Sequence, residues 1–285
     1  MPQVRVERCS EPQEVLERLR PALLRQPVRG SLMLSLLERR RLEPLPGRYW
    51  VASSAGRAVG MAMQSPLQMP ILLNPMTVGA ARALAGAAAG SANGSVPGVI
   101  AEASPAAAFA GQWSEVTGAA VIPEQGERLY RLGRLAWPPP PGGGLRPATD
   151  RDRPTLLRWW RSFSAETGAT GELAPDQAVA RELDSGRLFI WEDGGPRSMC
   201  RATSPVAGVS RIGAVYTPLG WRRRGYAAAA VASLCRQLQN DDVLPILYTQ
   251  LANPTSNRIY RRLGFRAVAE VLSYRFATAE TATRP

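Results

Sequence analysis

The second half of the chain alternates between helical and extended hydrophobic patterns. Residues 150–166 have apolar side chains at helical spacing, after a Thr149 or Asp150 that can cap a helix. These side chains are Leu156, Leu157, Trp160 and Phe163. Two apolar runs around the EDGGP turn then predict a hairpin. Strand, helix, strand, helix and strand patterns follow over 211–217, 225–239, 244–250, 254–263 and 267–276. The pattern predicts a mixed α/β domain with an α+β type of mixed sheet.

The first half repeats the hairpin at a constant offset of 139 residues, without a gap. The matching pairs are Gly47-Arg48 with Gly186-Arg187, Gly56 with Gly195, and Ser65-Pro66 with Ser204-Pro205. Further short segments correspond in the same order: 71–75 with 214–218, 103–105 with 252–254, and 130–132 with 274–276. Duplication explains this match better than chance similarity between two halves rich in Ala, Gly and Pro.

Four prolines followed by three glycines separate the two halves, at residues 138–144. This composition interrupts helices and strands. We therefore predict one domain at 1–136, a linker at 137–146 and a second domain at 147–285. The length of 285 residues and the apolar fraction of 45% are sufficient for two cores.

Two missing residue types restrict the chemistry of the chain. It contains no histidine and no lysine, which excludes Ser-His-Asp and Cys-His nucleophiles, histidine metal ligands and Schiff-base chemistry. Cys9, Cys200 and Cys235 are odd in number and far apart, which fits neither a disulfide framework nor a zinc site. We predict no metal, a reducing compartment and, with no signal peptide or membrane span recognisable, a cytoplasmic location.

The net charge of +12 predicts an acidic partner, such as cofactor phosphates, an acidic protein or nucleic acid. A GC-rich coding bias is sufficient to explain why every basic residue is arginine. Arginine clusters stand at 39–41, 151–153 and 222–224. The first follows an apolar helix at 31–37 and is interpreted as its solvated end.

The third cluster stands directly before an alanine-rich helix, in GWRRRGYAAAA at 220–230. A strand at 215–217 leads into this turn. The helix then begins just beyond the end of the strand, and its first backbone N–H groups have no partner within the helix. The helix dipole and the flexibility of glycine make such a turn an anion site. Alanines at 227–230 keep the first helical turns small beside the ligand and the sheet. The alternative interpretation is a solvated basic cap on an ordinary helix.

A second segment, ANPTSNRIYRRLGF at 252–265, supplies the pattern N-x-x-S-x-x-I-Y-x-x-L-G-F downstream. Together the two segments resemble the GNAT superfamily, the GCN5-related N-acyltransferases that use acyl-CoA. The turn is similar to the R/Q-x-x-G-x-G/A diphosphate loop of that family, with Ala227 in place of its second glycine. The resemblance covers residues 145–277. It implies two tandem GNAT-like domains, of which the first is a degenerate, non-catalytic copy.

The resemblance implies a role for each matching residue. The backbone groups of Val215 and Thr217 would contact the pantetheine arm, and a backbone N–H around Tyr216 would stabilise an oxyanion. The turn that would hold the diphosphate comprises Arg222, Arg223, Arg224, Gly225, Tyr226, Ala227 and Ala228. Asn253 and Asn257 would contact the cofactor near the thioester. Tyr260 would give a proton to the departing thiolate; its alternative is a core tyrosine that caps a backbone group.

The general base is left unassigned. The strand RIGAVYT at 211–217 has no acid, whereas many family members place a glutamate there or nearby. The candidates are Glu166, Glu172, Glu182 and Glu192. A water chain, or an amine that arrives neutral, would serve as well.

The predicted function is N-acyl transfer from acetyl-CoA or another acyl-CoA to a small-molecule amine, with the first half shaping the acceptor cleft. The net charge also allows an acidic acyl carrier protein as the donor. The alternative is a non-catalytic sensor of CoA or another nucleotide. No membrane partner is predicted, because no membrane span is recognisable. A nucleic-acid partner is not predicted either, because the arginines are not interleaved with aromatic residues.

Overall fold

The computed structural model describes residues 3–91, 96–139, 141–168 and 172–277. Pro140 of the predicted linker and residues 278–285 of the second predicted domain lie outside the described residues. The chain forms two compact units. The first comprises Met1–Leu129, Gln250–Ala252 and Val268–Pro285, and the second comprises Tyr130–Thr249 and Asn253–Ala267. The units are defined by contacts within the folded chain and include discontinuous segments, so they do not test the predicted domain limits, which stay a prediction.

Among the described residues, the first unit contains four helices, six complete strands and parts of two further strands, β7 and β13. In chain order, its elements are β1 (Arg5–Cys9), α1 (Pro12–Leu24), α2 (Pro27–Leu42), β2 (Arg48–Ser54), β3 (Arg57–Gln64), β4 (Ile71–Leu73), α3 (Val78–Ser91), β5 (Gly98–Glu102), α4 (Ala103–Thr117), β6 (Ala120–Pro123) and β7 (Glu127–Leu132). The last strand of the chain, β13 (Phe265–Ala277), contributes residues 268–277 to this unit, where it pairs with β5 and β6. Strands β1 to β4 are antiparallel neighbours, and β4 is parallel to β5.

The second unit repeats this order of elements. They are β8 (Gly144–Pro147), α5 (Arg153–Thr167), α6 (Pro175–Asp184), β9 (Leu188–Glu192), β10 (Pro196–Ala202), β11 (Val209–Tyr216), α7 (Tyr226–Asn240), β12 (Leu244–Gln250) and α8 (Pro254–Arg262). Strands β8 to β11 are antiparallel neighbours, and β11 is parallel to β12. Residues 130–132 of β7 also lie in this unit.

Side chains of the second unit enter two cores on opposite faces of its sheet. Leu188 and Ile190 of β9 pack in a cluster with α5 and α6, while Phe189 and Trp191 pack with α7 and α8. This alternation follows from the two-residue period of a strand. The helices on both faces confirm the predicted mixed α/β fold.

Two sequence interpretations of local structure are wrong. Residues 144–146 of the predicted linker belong to β8, which pairs with β9 after a turn at Gly143 (φ +88°). Arg40, interpreted as part of a solvated helix end, lies inside α2 with 1% of its surface exposed. Its guanidinium donates hydrogen bonds to the hydroxyl and the carbonyl of Ser65, so the interior supplies acceptors that the sequence does not reveal.

Candidate active site

Strands β11 and β12 pair along only part of their length. The parallel ladder joins Val209 to Leu244 and continues to Ile212 and Leu247, after which no described pair joins the two strands. One extra residue in β11, facing β10, forms a bulge at this point, with Ala214 at a φ of +46°. A bulge bends the strand that contains it. The carboxyl ends of the two parallel strands are thus not paired with each other, at the edge where ligands bind in sheets of this kind.

The turn between β11 and α7 has a backbone shaped for an anion. Arg223 (φ +64°) and Gly225 (φ +88°) are both left-handed, and helical backbone follows at Tyr226. Such alternation points successive N–H groups into one concavity. The first backbone hydrogen bond of α7 runs from Ala229 N to Gly225 O, so the earlier N–H groups are the free donors of a helix start. A diphosphate fits this arrangement of donors and dipole.

The arginines of the turn have different surroundings. Arg222 is predicted to contribute charge to the cofactor. Its Nη2 donates to both carboxylate oxygens of Glu166 of α5 (2.7 and 2.8 Å), and its Nε donates to Thr217 O. Arg223 and Arg224 are exposed. The guanidinium of Arg224 lies 4.8 Å from the ring centre of Trp221. Arg222 therefore fastens the turn to α5, and the exposed charge beside the turn comes from its two neighbours.

Residues of β10 and of the turn before it contact the β11–α7 segment, and the sequence analysis missed them. Arg197 stacks on Trp221 at 3.7 Å, and Ser198 donates a hydrogen bond to Tyr216 O at 2.9 Å. Tyr226 donates to Asp193 at 2.7 Å, which raises the pKa of its hydroxyl. No motif marks these positions, because their partners are brought together only by strand pairing.

Helix α8 is held at its start by the two predicted asparagines. Asn253 accepts a hydrogen bond from Ser256 N at 3.0 Å and so caps the helix. Asn257 is 3% exposed, donates to Asn253 O at 2.7 Å and accepts from the hydroxyl of Tyr130 at 2.9 Å. Both side chains therefore position α8, and their contact with a cofactor stays a prediction.

Tyr260 lies on the buried face of α8, with 8% of its surface exposed. It packs edge-on against Phe265, in the same cluster as Cys200 and Cys235. Burial raises the pKa of its hydroxyl well above the usual value, and it also raises the pKa of the Cys200 thiol to about 12. Among the described residues, none forms a hydrogen bond with the Tyr260 hydroxyl, in contrast to the alternative of a capping tyrosine.

The side chains of the two predicted tyrosines lie on opposite faces of the sheet. Tyr216 packs in the cluster of α5, with Trp159 at 6.4 Å between ring centres, whereas Tyr260 packs in the cluster of α7. The Tyr216 hydroxyl lies 3.5 Å from Glu166. Of the other predicted residues, Val215, Ala227 and Ala228 are partly exposed, and Thr217 is buried and donates to Ser198 at 2.9 Å.

Three candidate bases are engaged with arginines. Glu166 pairs with Arg222, Glu182 with Arg201 at 3.0 Å, and Glu192 with Arg146. Glu172 also has an interaction partner. The geometry therefore singles out no general base.

No described group of three or more His, Cys, Asp or Glu side chains is arranged to hold a metal ion. No described helix is both long and apolar enough to cross a bilayer.

Comparisons with known proteins agree with this geometry. The family model described as FR47-like protein matches residues 197–274. No curated protein matches the chain. A GNAT-family acetyltransferase from Colwellia psychrerythraea is 14% identical, with a TM-score of 0.61 over 96% of this chain and 100% of that one. A GCN5-related N-acetyltransferase from Sphaerobacter thermophilus is also 14% identical, with a TM-score of 0.64 over 95% of each chain.

A third similar structure is a tandem GNAT protein from the clavulanic acid biosynthesis pathway. It is 14% identical, with a TM-score of 0.59 over 96% of this chain and 98% of that one. At this level of identity the three structures show a shared fold. The chain is therefore similar to the FR47-like family over residues 197–274, and it shares its fold with GNAT proteins, one of which is a tandem protein.

Proposed function

We propose that the chain is an N-acyltransferase that moves an acyl group from acyl-CoA to the amine of a small molecule. The observation that supports it most is one continuous arrangement in the second unit. The anion-shaped turn before α7 follows directly from β11, whose end parts from β12, and α8 places Tyr260 after β12. Acyl-CoA would supply the thioester-activated acyl group.

The backbone of the turn would bind the diphosphate. The N–H groups of residues 223–228 precede the first internal bond of α7, and the side chains of Arg223 and Arg224 add charge beside them. The end of β11 beyond Ile212 has no ladder to β12 and would offer its backbone groups to the pantetheine arm.

Two groups would assist the transfer itself, in which a C–N bond forms as the C–S bond breaks. A backbone N–H around Tyr216 would stabilise the negative charge that develops on the attacked carbonyl oxygen. Tyr260 would give its proton to the departing thiolate, and its raised pKa keeps the hydroxyl protonated at neutral pH. The amine loses one proton in the same reaction, to water or before it arrives, since the described carboxylates near the turn have partners.

The test replaces Tyr260 by Phe, with Tyr274→Phe in β13 as a matched control outside the site. A panel of acyl-CoAs and amines is assayed by the release of free thiol. We expect Tyr260→Phe to reduce turnover by about 10²-fold or more while CoA binding changes little, because the phenol acts on the leaving group. Unchanged turnover in Tyr260→Phe would remove this residue from the mechanism.

Three of the candidate general bases are held in ion pairs with arginines. This observation also supports a second function, a sensor that binds CoA or another nucleotide without turnover. A sensor would be stabilised by CoA and would release no thiol with any amine. Thermal stabilisation by CoA together with a complete absence of thiol release would favour this function over the enzyme.

A further inference from the structure

Helix α8 presents an arginine surface that the proposed reaction does not use. Between Asp242 and Glu270 the chain has no carboxylate and four arginines. Three of these, Arg258, Arg261 and Arg262, are exposed on α8. With Pro254 and Thr255 they line a shallow cavity of about 660 Å³. We call these three side chains the α8 arginine surface.

Four other arginines of the second unit have carboxylate partners. Arg146 pairs with Asp152, Arg153 with Asp150, Arg201 with Glu182 and Arg222 with Glu166. Within the described residues, no carboxylate lies within ion-pair distance of the α8 arginine surface. The clusters at 151–153 and 222–224 are thus partly neutralised by carboxylates, whereas the α8 arginine surface is not.

Helix stability alone does not explain the surface. Arg261 and Arg262 stand in the last turn of α8, where the helix dipole favours cations. Arg258 stands in the middle of the nine-residue helix and has no such benefit. Like charges three and four residues apart on a helix repel each other. The helix dipole therefore accounts for Arg261 and Arg262, and it does not account for Arg258.

The surface and the proposed proton donor lie on the same short helix. Tyr260 faces the core, while Arg258, Arg261 and Arg262 face solvent. A helix with its side chains is about 10 Å across. A molecule seated on the arginines would therefore be close to the cleft that receives the thioester.

We propose that the α8 arginine surface docks an acidic protein that carries the acyl donor on a phosphopantetheine arm. This inference rests on the proposed function. Such an arm has one phosphate and no adenosine, so the remaining recognition comes from the surface of the protein that carries it. An acidic helical surface is complementary to three unneutralised arginines, and this complementarity acts mainly on the rate of encounter.

The test uses the full chain and a bacterial acyl carrier protein charged with an acetyl group. Transfer from it is compared with transfer from acetyl-CoA for the wild type, for Arg258→Glu and for Arg161→Glu, an exposed arginine of α5. We expect Arg258→Glu to lower kcat/KM with the carrier protein by about tenfold or more and with acetyl-CoA by less than about twofold. Arg161→Glu should resemble the wild type, and added salt should slow only the reaction with the carrier protein.

Several outcomes would overturn the docking proposal. One is an equal loss with both donors in Arg258→Glu, which would mean that the arginines bind CoA itself or support the fold. A second is transfer from the carrier protein that is no faster than from acetyl-CoA and indifferent to salt.

Binding of the carrier protein without an acyl group is measured separately, by titration. If it binds and Arg258→Glu weakens it, docking is supported even when no donor gives turnover, and only the proposed function fails. Tighter, steeply salt-dependent binding of duplex DNA would assign the surface to nucleic acid instead.

Discussion

Gly225 is the single residue on which the anion site depends most. Its φ of +88° lies in the left-handed region, which glycine adopts without the cost that a Cβ imposes. A Cβ built at this position would meet Pro141 only at 3.8 Å, an ordinary contact. Substitution therefore acts through backbone conformation, which also sets the direction of the N–H groups.

We predict that Gly225→Ala lowers the free energy of unfolding by about 1–2 kcal/mol and weakens CoA binding by about tenfold or more. Gly220→Ala, in the same turn, is the matched control, because a Cβ there meets open space and its φ is not positive. Thermal unfolding with and without CoA measures both effects. Equal stabilisation by CoA in the two variants would contradict the role of the turn.

At this scale the sequence predicts which residues stand near the turn better than it predicts what each one contacts. The motifs at 222–228 and 253–260 identify a glycine turn and a buried tyrosine, which the structure contains. They do not reveal that Arg222 pairs with Glu166, or that Asn253 caps α8. Those contacts depend on side chains from distant parts of the chain and on helix ends, which only the folded backbone defines.

Strand β8 and the start of helix α5 are tied together by one buried carboxylate. Asp152 precedes α5 and accepts hydrogen bonds from the guanidinium of Arg146 in β8 at 2.7 and 2.8 Å. Thr149 N donates to it at 2.8 Å in a capping box. These donors lower the pKa of Asp152 from 3.8 to about 2, with the Arg146 hydrogen bond as the largest cause.

A lowered pKa in the folded state stabilises the protein above the unfolded pKa of 3.8, and this contribution is lost as pH falls through about 2. We predict that the wild type loses about 1–2 kcal/mol of unfolding free energy between pH 5 and pH 2 that Asp152→Asn does not lose. Denaturant unfolding across this range measures it. Parallel pH curves for the two proteins would contradict the assigned pKa.

The sequence predicts elements well where hydrophobic periodicity is strong. Strand β12 has the predicted limits of 244–250, and helix α7 is displaced by a single residue from 225–239. Helix α6 was not predicted, and of its ten residues only Val179 is buried. Strand β8 was missed because its pairing depends on β9 rather than on its own composition.

The two units differ at the start of their corresponding helices. In the first unit, Thr77 Oγ1 accepts a hydrogen bond from Ala80 N at 3.3 Å. This N–H group at the start of α3 is therefore not free to bind an anion. Met76 packs against the position where Gly60 would have a Cβ. In the second unit, Gly225 has no side chain to cap α7. This contrast supports the interpretation of the first copy as degenerate.

We predict one CoA site for each chain, since among the described residues only the second unit has an uncapped helix start after a left-handed turn. Isothermal titration of CoA into the full chain measures the stoichiometry. Thr77→Gly leaves the ratio at one, because the first unit still lacks the arginine turn. A ratio of two in the wild type would contradict the assignment of a single site.

The most direct test of the central claim is a crystal structure of the full chain with bound CoA. We predict that the diphosphate oxygens accept hydrogen bonds from the N–H groups of residues 223–228. The pantetheine arm would lie between β11 and β12 beyond Ile212 and Leu247, with its sulfur beside the Tyr260 hydroxyl. CoA bound elsewhere, or a sulfur distant from Tyr260, would contradict the proposed acyltransferase site.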